Sequence, residues 1–141
     1  MNEFKIKHLE FIQNVITRMN QNSFLIKGWA ITLTSALFAL SAKDANTNYI
    51  LIAYIPVPVF WLLDSFFLMT EKKYRLLYKS VALKSPDRID FDMNIDGIKE
   101  PSVKFVKSFF SMTLLPFYGL LVLVMLIAIF TIGNGIHVWN S

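Results

Sequence analysis

Crossing the roughly 30 Å hydrocarbon core of a bilayer takes about 20 helical residues, and three stretches of this 141-residue chain reach that length with at most one charge each. Residues 24–42, FLIKGWAITLTSALFALSA, hold only Lys27, one turn from the start, where the side chain can snorkel to the headgroups. Residues 49–70, YILIAYIPVPVFWLLDSFFLMT, hold only Asp64, along with Pro56 and Pro58. Residues 108–133, SFFSMTLLPFYGLLVLVMLIAIFTIG, hold no charge and are long enough to tilt. The composition fits: 55% of residues are hydrophobic and only 17% charged, where a soluble domain carries about 25%. With no cysteine, a disulfide scaffold and a thiol or Cys-zinc site are excluded. The first run starts more than twenty residues in, behind a charged segment, so it is expected to stay in the mature protein rather than leave as a signal peptide.

Lys and Arg accumulate on the cytoplasmic side of short loops. Thirteen of the fourteen basic residues lie in the N-terminal segment with its Lys27 junction and in residues 71–107; the hairpin at 43–48 has only Lys43, and the tail 134–141 has none. The expected fold is therefore an all-α integral membrane protein with three transmembrane helices. Residues 1–23 form an amphipathic cytoplasmic helix, 24–42 span one, 43–48 an external loop, 49–70 span two, 71–107 a basic cytoplasmic helix and loop, 108–133 span three, and 134–141 an external tail. The N-terminus is cytoplasmic and the C-terminus external.

Leu9, Ile12, Ile16 and Met19 recur at helical spacing, with Phe4, Phe11 and Val15 broadening the stripe. This helix either lies on the inner leaflet or runs on into the first span and packs against partner subunits; the second is preferred. EKKYRLLYKSVALK continues the second span as helix to Ser85-Pro86. RIDFDMNIDG then alternates Ile89, Phe91, Met93 and Ile95 with polar residues, either as a strand pairing with another chain or as an extended loop. Ser102 is a candidate N-cap for a helix running unbroken into the third span.

No catalytic constellation, phosphate loop or zinc motif is present, so an enzyme, a metal site and a cofactor are not expected. His8 and His137 fall on opposite sides of the membrane in this topology. Asp90, Asp92 and Asp96 resemble a calcium loop only in part, because a terminal glutamate is missing. Asp64, an ionisable group inside a span, has the strongest functional claim, and Lys27 is its candidate partner at similar depth. The pair either locks two spans together or takes part in gating. Gly28, Thr32, Ser35, Ala36 and Ala39 form a small-residue stripe on the first span, suited to close helix packing or to lining a pore. Lys72, Lys73, Arg75 and Lys79, beside Tyr74 and Tyr78, either reflect the cytoplasmic charge bias or bind an anionic ligand with a base stacked on tyrosine. Trp29, Trp61, Tyr74, Tyr118 and Trp139 read as interface anchors.

At HLEFIQNVITRMNQNSFLIKGWAITLTSALFAL followed by PVFWLLDSFFLMTEKKYRLLY, roughly the first 80 residues, the chain resembles small bacterial anti-phage defence effectors of the SLATT type. It more closely resembles the membrane effector of Hailong-type systems. The resemblance implies an oligomeric channel of the bacterial inner membrane, held closed by a nucleotide or single-stranded oligonucleotide from a partner nucleotidyltransferase and opened to depolarise that membrane; duplex DNA is not an expected ligand. The third span departs from the two-span effectors. A non-conducting membrane anchor for a cytoplasmic protein is the alternative, and a dimeric exporter working through Asp64 a third.

Overall fold

The computed structural model describes residues 2–44, 46, 48–100 and 104–139, with side chains to Asn134; Ser102 and the side chains of His137 and Trp139 lie outside what it describes. It is all-helical, with three helical stretches long and apolar enough to cross a membrane. Helix α1 is Glu3–Asp44, α2 Asn48–Ala53, α3 Pro56–Leu83, α4 Phe105–Phe109 and α5 Leu114–Trp139, with a 3-10 turn at Pro86–Arg88.

The 42 residues of α1 make a rod of about 63 Å, twice the hydrocarbon thickness. The amphipathic N-terminal segment and the first span are thus one helix. Its seam is not left for a partner subunit: Ile12 and Ile16 are buried against Val81 of the same chain, with Leu9, Tyr74, Leu77 and Tyr78 packed around them. A second core joins Ala30 of α1, Ile50 and Ala53 of α2, Val57 of α3, and Leu114, Tyr118 and Met125 of α5.

The second span is interrupted where the prolines require it. Tyr54 and Ile55 close α2 with tight bonds to the carbonyls of Leu51 and Ile52 (3.1 and 3.2 Å), and α3 restarts with Pro56 in its first turn, a position that needs no N–H.

The unbroken helix expected from residue 102 into the third span is corrected: α4 ends at Phe109 and α5 starts at Leu114. Pro116 is the cause. In a continuous helix its ring would meet the carbonyl of Met112 and leave that carbonyl without a donor. The chain instead turns, and the Ser111 hydroxyl accepts the Leu114 N–H at 3.2 Å, capping α5.

Residues 89–96 form no strand; they are an extended loop laid on the α1–α3 pair, with Ile89 and Met93 against the lower core. The side chains of Asp90, Asp92 and Asn94 each accept the N–H two residues on (3.2, 2.9 and 2.8 Å), which turns the backbone away from ladder pairing. The Asp92 N–H, then Lys84, hold the Asp90 carboxyl below the usual carboxylate range, so its contribution to this loop is present at neutral pH and fades on acidification through that lowered value.

Phe91 carries φ 54° and sits among Phe4, His8 and Phe11, with ring centroids 5.5 to 6.3 Å away; the His8 Nε2 atom lies 3.0 Å from the Asp92 carbonyl oxygen. Aromatic packing holds a backbone conformation that costs a non-glycine residue about 1–2 kcal/mol. Phe91→Ala and Phe91→Gly both lose the ring, but only glycine relieves the backbone. The glycine variant is expected to be the more stable of the two by about 1 kcal/mol in thermal unfolding of the detergent-solubilised chain.

Candidate functional site: a buried carboxylate at a three-helix junction

Asp64 is fully buried. In hydrocarbon an ionised carboxylate persists only when donors replace its water, and the structure supplies them from both other spanning helices. Oδ2 accepts from Lys27 Nζ of α1 at 2.6 Å and from the Tyr118 hydroxyl of α5 at 2.9 Å. Oδ1 accepts from Ser23, whose oxygen in turn accepts from Lys27 Nζ at 2.7 Å. Ser23 precedes Lys27 by four residues, one helical turn, so both reach the same point on α3.

Lys27 and Asp64 are thus brought together. The lysine does not snorkel: its side chain is only 19% exposed, and its ammonium also lies 5.9 Å from the Phe117 ring centroid. Tyr118 is corrected from interface anchor to buried member of the network. Trp61 also faces inward, stacked on Tyr118 and Phe109 (5.6 and 4.2 Å between centroids) and donating to the Phe109 carbonyl at 3.0 Å. That carbonyl belongs to the last turn of α4, so Trp61 ties the α4–α5 break to α3. Tyr74 packs into the lower core, whereas Trp29 is exposed. A cue to Tyr118 was present in its depth, since it lies one turn into α5 and Asp64 about two turns inside the Thr70 end of the second apolar run.

A second polar cross-link lies two turns below. Glu71, nearly buried, takes the Arg75 guanidinium at 2.7 Å and, with the Asn20 amide nitrogen turned toward it, a bond from α1 at 2.7 Å.

The small-residue stripe is not used within the chain. Gly28, Thr32, Ser35, Ala36 and Ala39 are all exposed, on the side of α1 opposite Ala30 and Thr34, which are buried. A Cβ added at Gly28 would meet nothing within 4 Å. Thr32 donates to the Gly28 carbonyl at 2.8 Å, so its hydroxyl is satisfied by its own helix.

The basic cluster is divided. Arg75, Tyr78 and Lys79 line a groove of about 320 Å³ against Gln13 and Ile16 of α1, while Lys72 lines a different one beside α4. Lys73 is half-buried on α3. Arg75 being bound to Glu71, Lys79 and the Tyr78 ring are the groups of that groove best placed for an anion carrying a base.

Removing one partner of a buried ion pair strands the other charge. Asp64→Leu and Lys27→Met are each expected to destabilise the chain by about 3–5 kcal/mol, and the double variant by far less than their sum. Tyr118→Phe is expected to cost about 1–2 kcal/mol. Unfolding in mixed micelles, read as a double-mutant cycle, checks all four. Comparison with protein-family models, curated proteins and solved structures gave no match to this chain.

Proposed function

We propose that the chain is an oligomeric, channel-forming effector of the bacterial inner membrane, of the anti-phage class its first 80 residues resemble. In this reading a nucleotide or oligonucleotide from a partner nucleotidyltransferase restrains it, and release depolarises the membrane. One observation carries the proposal: the small-residue stripe of the first span, Gly28, Thr32, Ser35, Ala36 and Ala39, is exposed on the side of α1 opposite the residues it buries against its own chain. Three helices cannot enclose a water path, so that face serves either helix approach or pore lining only between copies.

The other parts fit that role. The network of Asp64, Lys27, Ser23 and Tyr118 holds α1 in one rotational setting, and so fixes where the stripe points. The groove at Arg75, Tyr78 and Lys79 is lined by α1 as well as α3, so an anion held there would bear on the same helix. The anchor alternative recruits a partner through the N-terminal helix; burial of Ile12 and Ile16 within the chain takes the centre of its apolar stripe, leaving Phe4, Ile6 and Phe11 exposed.

Expression of the chain alone, read with a membrane-potential dye, is expected to depolarise the host, and Ala36→Trp to remove most of that effect at matched membrane levels. A chain present in the membrane that leaves the potential unchanged favours the anchor. With the partner enzyme present, Tyr78→Ala with Lys79→Gln is expected to be more toxic than the unsubstituted chain; equal toxicity counts against restraint by a ligand. Because the chain has no cysteine, orientation is directly testable. Asn46→Cys is expected to react with an impermeant maleimide outside intact spheroplasts, and Asp92→Cys only after permeabilisation.

A further inference from the structure

The break between α4 and α5 opens a groove of about 610 Å³ onto α3, lined by Leu68, Lys72, Lys107, Phe110, Ser111 and Thr113 among others. Its position is fixed by the sequence. Leu68 lies one turn inside the apolar part of α3, Lys72 at the first basic turn beyond it, and Leu114 begins the apolar run of α5. The groove therefore straddles the level at which hydrocarbon gives way to headgroups.

Its chemistry has two halves. Toward the cytoplasm stand two ammonium groups, the Ser111 and Thr113 hydroxyls, and the N-terminal end of the 26-residue α5, whose dipole favours negative charge. Ser111 uses an oxygen lone pair to cap Leu114, which leaves its hydrogen free to donate. Toward the bilayer the lining is apolar, and at the rim Met112 is 92% and Phe110 57% exposed, a surface suited to acyl chains rather than to water.

We infer that this groove is a binding site for an anionic phospholipid, its phosphodiester between Lys72 and Lys107 and its acyl chains over Leu68 and Phe110. Charge complementarity selects the occupant. Two lysines attract a phosphate that brings no amine of its own, and disfavour the ammonium of phosphatidylethanolamine or the quaternary amine of phosphatidylcholine. A soluble phosphate fits only the cytoplasmic half and leaves the apolar half uncovered. The assignment moves Lys72 from the nucleotide groove to a lipid site, and does not rest on the channel reading.

The test uses the full chain in nanodiscs of phosphatidylcholine mixed with phosphatidylglycerol, with retained lipids counted by native mass spectrometry. The unsubstituted chain is expected to retain phosphatidylglycerol preferentially. Lys72→Gln with Lys107→Gln should lower that preference by about fivefold per lysine, and the double arginine variant should keep it. Met112→Asp, at an exposed rim position where folding is undisturbed, should lower it by placing an acid beside the phosphate. Lys73→Gln with Lys84→Gln should leave it unchanged. Equal retention of both lipids by the unsubstituted chain overturns the site. So does an equal loss in the Lys73 and Lys84 control, which would show surface charge alone, or full retention in the Lys72 and Lys107 variant or in Met112→Asp.

Discussion

A carboxylate held inside hydrocarbon dictates what surrounds it, and the arrangement of this bundle follows from how Asp64 is answered. Without competing water, each of its oxygens needs a fixed donor. The donors come from α1 and α5 at once: Ser23, Lys27 and Tyr118. A slide of either helix by one turn, about 5.4 Å, would break the set. In lipid, apolar side chains gain little by leaving the bilayer for a neighbour, so a polar junction selects one register far more sharply than the leucines, valines and isoleucines of α5 do.

Much of this was legible in the chain. Three spans follow from uncharged length, and a lone lysine and a lone aspartate at matching depth point to each other. Tyr118 was harder, because an aromatic near the end of a span has the composition of a headgroup anchor, and only its depth sets it apart. The break before α5 was misread for a different reason: residues 108–133 are uniformly apolar, and hydropathy is blind to the hydrogen bond that Pro116 cannot make. In residues 89–96 the alternating pattern correctly separates the side facing the helices from the side facing water. It does not distinguish a strand from an extended loop, since that depends on where the backbone N–H groups go, and here they go to the preceding Asp and Asn side chains.

The candidate site was only half readable for the same kind of reason. Spacing placed Lys72, Arg75 and Lys79 on one side of α3, but α4 and α1 cover that side at different heights and split it into two grooves. Glu71, which binds Arg75, is not marked out by the sequence, because its burial depends on α1 lying across it. The small stripe shows the converse. Its composition suited helix packing, and only the three-dimensional arrangement shows that the chain packs with the opposite face, through Ala30 and Thr34.

The two long helices have no break between their charged segments and their apolar runs, whereas the third apolar run is broken near its start. Glu3–Asp44 is a single rod, and Pro56–Leu83 runs unbroken from inside the bilayer to beyond it, while four residues of turn separate α4 from α5. The amphipathic N-terminal segment and the outward stripe are therefore parts of one continuous helix, so that a rotation of the one about the helix axis is a rotation of the other. The turn at residues 110–113 interrupts any such path through α4, and α5 is coupled to α3 instead, through the Trp61 stack and the bond from Tyr118 to Asp64.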